Sequence, residues 1–528
     1  MIAISKLLRN ATQSRAILVS TRALSSHAKP TEAQLDFRQF LEKLREDNDL
    51  VDIEDEIDPY LEAAAIVRRV SETDNLAPLF HNVKGAKGGV WRMFGNAASL
   101  RPDKKEKYGR LARNLGLEPT ATWKELTEKT IAAKKRILLK PNVLSTAPCK
   151  KNSISAEEIN LHELPVPQVH AEDGGKYMQT YGIHVLQTPD KGWTNWSIFR
   201  GMVHDRNHLC CLVGSGQHNS MIRDEWRKMG AKEMPWALAL GVPPAANLVA
   251  ALPIPKNVSE GEYVGALVGK PLDLVKCDNN DLLVPASSEI VLEGALLLEE
   301  TGMEGPFGDF LGVVFDGDAH RQPLFRVDKI TYRDDAILPI SVPGRITDES
   351  HTTAALAAGE VLSLCEDSDI PIKEACASLE VMGTWLALQI DTEKLRALKT
   401  NPKDFVNKLG KIFFNHKSCM LINKIILVGD HVNVYEFRDV IWALATRCRP
   451  GRDEYVFEDV PGFPMTPYMS HGGHGPPTKG GKAICDALMP AEYTTGCQFH
   501  EVSFEKSYPK HVRERIESNW QRWGFNKV

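Results

Sequence analysis

Asn195-Trp196-Ser197-Ile198-Phe199-Arg200, Gln217-His218 and Glu260 bring an amide, an imidazole and a carboxylate into one part of the chain, and Glu304-Gly305-Pro306-Phe307-Gly308-Asp309 follows with two more carboxyl groups. Asn195, His218 and Glu260 would make a hard, mostly oxygen-donor set. Such a set suits Mn2+ or Mg2+ and leaves positions for phosphate oxygens or water. Arg200 could hold Glu304 and Asp309. Two carboxyls beside one arginine serve either as a plain salt bridge or as an acid and its partner, one kept protonated by burial or like-charge repulsion while the other pairs with the cation. Spacing alone leaves both readings open. It also leaves open a turn residue, a satisfied histidine and a solvated carboxylate for Asn195, His218 and Glu260.

Two nucleotide-like stretches do not qualify. Gly265-Ala266-Leu267-Val268-Gly269-Lys270-Pro271 is one spacer short of a phosphate-binding loop, and proline stands where Ser or Thr must reach magnesium. Residues 471–482 hold His471 and His474 among glycines and prolines. Nothing there fixes the imidazoles on a rigid element, so the stretch reads as a surface loop.

The elements that must position these residues follow from periodicity. Thr31 to Gln34 form a capping-box pattern, and Phe37, Phe40, Leu41 and Leu44 then share one helical face, so the folded region begins near residue 31. A strand at 50–53 and an Ala-rich helix after Pro59 continue an α+β segment to about residue 145. Residues 181–187, 193–199 and 208–213 read as strands separated by turn signals at 189–192 and 205–207, the texture of an antiparallel sheet or barrel over 146–345. From 346 to 500 a helix at 353–365, a buried strand at 422–429 and a helix at 437–447 give an α/β segment. The end, 501–528, carries Val512, Ile516, Trp520 and Trp523 on a charged helix, an apolar stripe suited to a neighbour or partner subunit.

A chain of 528 residues allows about three domains of ordinary size. Residues 1–30 hold Lys6, Arg9, Arg15, Arg22 and Lys29 with no acid, the composition of a mitochondrial transit peptide; a disordered cytoplasmic tail is the alternative. Loss of those five cations takes the formal charge from −5 to −10, which argues against a nucleic-acid partner. Ten cysteines without a CxxC pair fit free thiols in a reducing compartment. The long uncharged stretch 234–255 contains five prolines, so no membrane span is read.

Asn195 to Arg200, Gln217-His218, Gly241-Val242-Pro243-Pro244-Ala245-Ala246, Glu304 to Gly308 and Asn415-His416-Lys417 resemble the UbiD family of decarboxylases. The likeness extends to Asp173-Gly174-Gly175-Lys176-Tyr177 and Glu492-Tyr493-Thr494-Thr495-Gly496, and is greatest to the fungal ferulic (phenylacrylic) acid decarboxylase branch. It implies a split β-barrel flavin-binding domain with an α/β C-terminal dimerisation domain. It also implies decarboxylation of aromatic or α,β-unsaturated acids, of the cinnamic, ferulic and coumaric type or of hydroxybenzoate-like and polycyclic type, on prenylated FMN supplied by a flavin prenyltransferase. A non-catalytic flavin-binding protein is the alternative of another class. By matching position, Asn195, His218 and Glu260 would hold Mn2+ against the cofactor phosphate, Lys417 would contact that phosphate, and Gln217 would line the flavin. Trp196, Ser197, Ile198 and Phe199 complete the cofactor-binding segment, and Arg200, Glu304 and Asp309 would be catalytic. Gly214, Gln217, Phe310, Ala354, Met420, Phe463 and Met465 fall at substrate-pocket positions. Asp309 stands where the cinnamate branch has Glu. Ala250-Ala251-Leu252 replaces Ser-Ser-Met beside a potassium site, and Gly214, Ala354 and Met420 point to a roomier pocket.

Overall fold

Phe37, Phe40, Leu41 and Leu44 are buried on the inner face of the helix Phe37–Glu46, and its first turn is closed by Asp36, whose carboxylate accepts the Gln39 N–H at 2.9 Å. The cap is therefore Asp36, five residues beyond Thr31. Glu32–Leu35 form a short 3-10 turn before it. The structure is a computed structural model that describes residues 32–86, 91–214, 216–345, 348–470, 479–496 and 498–526. Residues 1–30, read above as a transit peptide or tail, and Thr31, His471, His474 and Cys497 lie outside the described residues.

The first sheet takes the strands Leu50–Ile57, Ala77–Val83, Trp91–Gly95 and Ala336–Ile340 in that order. Its last member comes from far along the chain and pairs in parallel with Trp91–Gly95. All five residues of Ala336–Ile340 are buried, and an apolar run with no polar face needs cover on both sides, which this position gives.

A nine-stranded antiparallel sheet, curled into a half-barrel, forms the middle of the molecule. Its order is Tyr177–Gln179, Gly201–Val203, His208–Cys211, His320–Tyr332, Ile290–Glu304, Glu233–Leu240, Gly182–Gln187 and Thr194–Ser197, with Asn152–Ser155 also paired to His320–Tyr332. The strands expected at 181–187, 193–199 and 208–213 are all present. Trp236, Phe325, Phe199 and His184 fill its interior as one ring cluster. The proline-rich stretch is divided between the strand Glu233–Leu240 and the helix Pro244–Ala251. No helix among the described residues is long and apolar enough to cross a membrane.

The third sheet runs Ile372–Ala377, Trp385–Ile390, Lys424–Val428, Lys479–Asp486, Glu454–Pro461, and its three inner strands are parallel. Two expectations change here. The helix expected at 353–365 is two helices, Glu349–Ala357 and Glu360–Asp367, because Asp348 caps the first and the chain turns at Ala358-Gly359. A side chain at Gly359 would meet Thr127 at 2.5 Å, so the turn packs directly on the leading segment. Residues 479–482, expected in a loop, begin the strand Lys479–Asp486, and Lys482 is buried there. Its ammonium donates to the carbonyls of Cys419 at 2.7 Å and Met420 at 3.1 Å, which offsets the cost of burying the charge. The would-be phosphate loop is the helix Glu260–Val268, closed by Gly269 at φ 85°. The terminal helix Lys510–Asn519 has no buried residue, and Trp523 beyond it is exposed. The nine cysteines among the described residues are free thiols.

Candidate functional site

The strand Thr194–Ser197 lies antiparallel to Gly182–Gln187, pairing Asn195 with Leu186 and Trp196 with Val185. Beyond it Phe199 stacks on His184 at 3.6 Å and 7°. The Trp236 indole N–H can only donate, and it donates to His184 Nδ1 at 2.9 Å, so the imidazole proton sits on Nε2 and goes to the Phe199 carbonyl at 2.9 Å. Burial pushes the His184 pKa down to about 3 and keeps the ring neutral. The residue before Arg200 is thus fixed by ring and backbone together.

Arg200 reaches both carboxyl groups. Its Nε and Nη2 donate to Glu304 Oε1 and Oε2 at 2.7 and 2.9 Å, and Nη1 donates to Asp309 Oδ2 at 2.7 Å. The guanidinium lies 5.0 Å above the Phe307 ring, a cation–π contact from the same loop. Burial disfavours the arginine charge, yet Glu304 and Asp309 outweigh it and hold Arg200 more firmly protonated than usual.

The two acids are not equivalent. Glu304 is closed from solvent and receives a third hydrogen bond, from the Tyr177 hydroxyl at 2.8 Å. Asp309 keeps 20% of its side-chain surface open and takes one N–H from Arg200 and one from the Phe310 backbone at 2.7 Å. Dense protein around its carboxyl nonetheless desolvates it. Burial first, with the Glu304 charge adding, raises the Asp309 pKa against the pull of Arg200. Glu304 is held by three donors and shut from solvent, whereas Asp309 is the acid whose protonated form its surroundings favour.

Residues quoted in the 173–177 motif without a role are structural partners of this loop. The Asp173 carboxylate accepts the Gly308 N–H at 2.8 Å, and the Gly174 N–H donates to the Pro306 carbonyl at 2.8 Å. A side chain at Gly174 would lie 2.0 Å from the Gly305 carbonyl oxygen, so only glycine allows the approach. Tyr177 packs on Phe307 at 4.3 Å as well as bonding Glu304. Composition gave no signal for these pairings; their signal was the recurrence of two glycine-containing motifs, which need close backbone contact.

A second group gathers at the start of two helices. Asn195 Nδ2 donates to Glu260 Oε1 at 2.8 Å and the Trp196 N–H donates to Glu260 Oε2 at 2.7 Å. Ser197 Oγ donates to Asn195 Oδ1 at 3.2 Å. Glu260 is buried, and desolvation pushes its pKa up to about 8, the behaviour of a carboxylate without a full counter-charge. His218 opens the helix His218–Lys228, with Gln217 at the N-cap offering no side-chain cap. The His218 ring packs edge-on to Trp193 at 4.8 Å, and Nε2 lies 3.4 Å from Lys417 Nζ. Burial, then Lys417 and Lys256, lowers the His218 pKa to about 4, leaving a neutral imidazole whose one lone pair can accept from Lys417 or serve a ligand. Desolvation also lowers the Lys417 pKa, against the attraction of Glu260.

This donor set fits a cation beside an anion. Among the described residues no three His, Cys, Asp or Glu side chains cluster for a metal, so any ion here would depend on the Asn195 amide. The first turn of the helix His218–Lys228 presents backbone N–H groups, and among the described residues the buried Asn219 side-chain amide beside them has no partner for its Nδ2. With Lys417 and Lys256, the two cations that act on His218, these donors could hold an anion.

Of the expected pocket residues, Phe310 and Phe463 come together just beyond the loop. Phe310 meets Phe463 at 5.9 Å and His351 at 6.0 Å. Ala354 is three residues beyond His351 on the helix Glu349–Ala357. Gly214 neighbours Gln217, whose amide would lie 3.3 Å from an added side chain. Met420 follows the Lys417–Cys419 turn, and Met465 is half-buried two residues beyond Phe463.

Three family models cover the chain in order: the 3-octaprenyl-4-hydroxybenzoate carboxy-lyase N-terminal domain over residues 41–130, its Rift-related domain over 142–346 and its C-terminal domain over 350–487. The chain belongs to the UbiD family. Ferulic acid decarboxylase 1 of Saccharomyces cerevisiae is 45% identical over 93% of this chain and 98% of its own length. Pyrrole-2-carboxylic acid decarboxylase of Pseudomonas aeruginosa is 39% identical over 93% of this chain and 98% of its own length. An evolved dimeric form of the UbiD-class enzyme HmfF from Pelotomaculum thermopropionicum, in complex with prFMN, superposes with a TM-score of 0.71 at 25% identity, covering 89% of this chain and 96% of that one. This UbiD-family chain is a carboxy-lyase, a decarboxylase of aromatic acids.

Proposed function

We propose that this protein removes CO2 from aromatic or α,β-unsaturated carboxylic acids, cinnamate-like acids first among them, with prenylated FMN as cofactor. The observation that carries the reading is one guanidinium holding two carboxyls in unequal surroundings, Glu304 fully paired and Asp309 partly open with a raised pKa. Prenylated FMN, when bound, supplies the electron sink for the charge left as CO2 departs. Arg200 fixes Glu304 through two N–H groups and aims Asp309 through a third. Asp309 holds the proton that the product carbon needs and delivers it once the carboxylate has gone. Phe310 and Phe463 give an aromatic wall on which a planar acid can rest.

Asn195, His218 and Glu260 would hold Mn2+, the ion supplying Glu260 with the positive charge its burial calls for. Lys417 and the start of the helix His218–Lys228 would hold the cofactor phosphate, and Gln217 would border the ring system. Ala250-Ala251-Leu252 offers no side-chain oxygen, so a potassium ion there would rest on backbone carbonyls. Residues 1–30 are proposed to direct the chain to mitochondria, where a flavin prenyltransferase must supply the cofactor. The exposed Val502, Tyr508, Trp523 and Phe525 are proposed to meet a second copy in a homodimer.

Expression beside a flavin prenyltransferase, followed by CO2-release assays on cinnamates, hydroxybenzoates, pyrrole carboxylate and fused-ring acids, tests the reading. Turnover of cinnamates is the expected result. Turnover of ring carboxylates alone would replace the first substrate class, and no turnover by flavin-loaded protein would remove the enzymatic role.

A further inference from the structure

Asp309 is followed by a backbone that a distant, fully buried histidine holds. His351 Nε2 lies 2.6 Å from the Phe310 carbonyl oxygen. The Asp348 backbone N–H, which can only donate, meets His351 Nδ1 at 3.2 Å, so the ring proton sits on Nε2 and is donated to Phe310. Phe310 in turn uses its own N–H, at 2.7 Å, to hold Asp309 Oδ1, while Arg200 holds Oδ2. One residue therefore links His351 to the carboxyl. On the other side of Asp309 the Gly308 N–H is held by Asp173 at 2.8 Å.

The His351 end of this chain is rigid. Asp348 caps the helix Glu349–Ala357 through the N–H groups of Ser350 at 2.8 Å and His351 at 3.2 Å, and it also accepts the Gly344 N–H at 3.1 Å. Arg68 Nη1 stands 3.5 Å from the same carboxylate, and Thr352 Oγ1 donates to the Ala98 carbonyl at 3.0 Å. The first turn of the helix is thereby tied to the leading segment from two sides. Space-filling alone would be met by leucine at 351. What leucine lacks is the N–H that fixes the Phe310 backbone.

We propose that His351 is a positioning residue for Asp309: by donating to the Phe310 carbonyl it anchors the residue whose own N–H holds one Asp309 oxygen, and so steadies the aim of the proton donor. The proposal rests on the reading of Asp309 as that donor. His351 touches neither substrate nor cofactor in this role. Loss of its N–H leaves the Phe310 backbone unanchored and loosens its hold on Asp309, so the carboxyl turns more freely about its side-chain bonds, which misdirects the proton without removing it.

The test compares His351→Leu, which keeps volume and loses the donor, with His351→Gln, whose amide N–H can reach the same carbonyl. Turnover, KM, flavin content and Tm are measured on flavin-loaded protein, and amide hydrogen exchange over residues 306–314 is measured by mass spectrometry on cofactor-free protein. His351→Leu is expected to lower kcat about tenfold with KM within about twofold of wild type, and to speed exchange in 306–314. His351→Gln is expected to restore most of both. If His351→Leu folds poorly, His351→Asn, whose shorter amide falls short of the carbonyl, takes its place. Exchange and kcat equal to wild type in the donor-free variant would overturn the proposal, as would equal losses in the Leu and Gln variants that follow Tm. Wild-type protein inactive on every acid would sink the decarboxylase reading instead, and the exchange comparison would still decide whether His351 holds the loop.

Discussion

Glu304 and Asp309 hang from the same Arg200 guanidinium, but Glu304 takes two of its N–H groups and the Tyr177 hydroxyl while Asp309 takes one, adds the Phe310 backbone N–H and keeps an open edge. Each hydrogen bond to an ionised carboxylate favours the charged form, and burial without enough of them favours the neutral one. The pair is therefore sorted by its donors, three on Glu304 against two on Asp309, and Asp309 is the acid left to carry the proton. The loop between them gains its shape from Asp173 and Gly174, so the sorting depends on contacts made well outside the two acids.

Asp309→Asn keeps size and hydrogen bonding but removes the acid. Turnover should fall about 100-fold or more, with flavin and metal content unchanged. Asp309→Glu retains the acid on a longer arm and is expected to keep activity or shift preference toward smaller acrylic acids. Steady-state kinetics on both variants check this, and wild-type turnover in Asp309→Asn would pass the donor role to Glu304.

The raised Asp309 pKa carries a sign for the pH profile. The donor must be protonated before it can act, and its proton is held to higher pH than by an ordinary carboxyl. Activity should thus be greatest below the Asp309 pKa and fall as pH rises through it, at a midpoint above the usual carboxylate range. In Asp309→Asn this limb should vanish from the residual kcat profile.

Tyr177→Phe leaves the ring packed on Phe307 and deletes one bond to Glu304. A hydrogen bond to a charged group is worth about 1.5–3 kcal/mol, so a turnover loss of roughly tenfold is expected if about half of that is felt in the transition state. Flavin content should not change. Loss of flavin together with turnover would make Tyr177 a cofactor-site residue.

Much of this architecture was legible because periodicity and local chemistry agree. Phe37, Phe40, Leu41 and Leu44 mark their helix, and the three strands from 181 to 213 stand between turn residues that permit few other conformations. The return of Ala336–Ile340 to the leading sheet was not legible, since pairing across so many residues leaves no local trace. Nor was the split of the 353–365 helix, which depends on Asp348 and on Thr127 packing against Gly359. In the site, residue type marked Arg200, Glu304 and Asp309 as partners, and only the family resemblance favoured a catalytic role over a plain salt bridge. Tyr177 and His351 did not, because a tyrosine or histidine acquires such a role only through a partner that the fold brings to it.

Gly174→Ala tests the weld between the 173–177 motif and the Glu304 loop. The new methyl group would overlap the Gly305 carbonyl, which is backbone and cannot swing aside, so the loop carrying Glu304 must move. Overpacking of this kind costs about 1–3 kcal/mol. Thermal unfolding should show a lower Tm, and turnover should fall further than in Tyr177→Phe. An unchanged Tm with full turnover would mean that the approach of the two motifs is not required.

His218→Ala separates holding the cofactor from using it. His218 is a neutral imidazole at the start of an uncapped helix, next to Lys417, and Asn195 and Glu260 bond each other nearby. If the three bind Mn2+ against the cofactor phosphate, losing the nitrogen ligand should strip metal and flavin together, since each holds the other. Lys417→Ala should weaken flavin retention with less effect on manganese when flavin is saturating, because the ammonium meets phosphate only as a point charge. Metal analysis and the visible flavin spectrum of the purified variants read both quantities. Chelation of the wild-type protein should reproduce the His218→Ala loss, and readdition of Mn2+ with flavin should reverse it in the wild type but not in the variant. Undiminished manganese and flavin in His218→Ala would take the ion away from this group, and Glu260 would then remain a buried carboxyl satisfied by Asn195 and the Trp196 N–H alone.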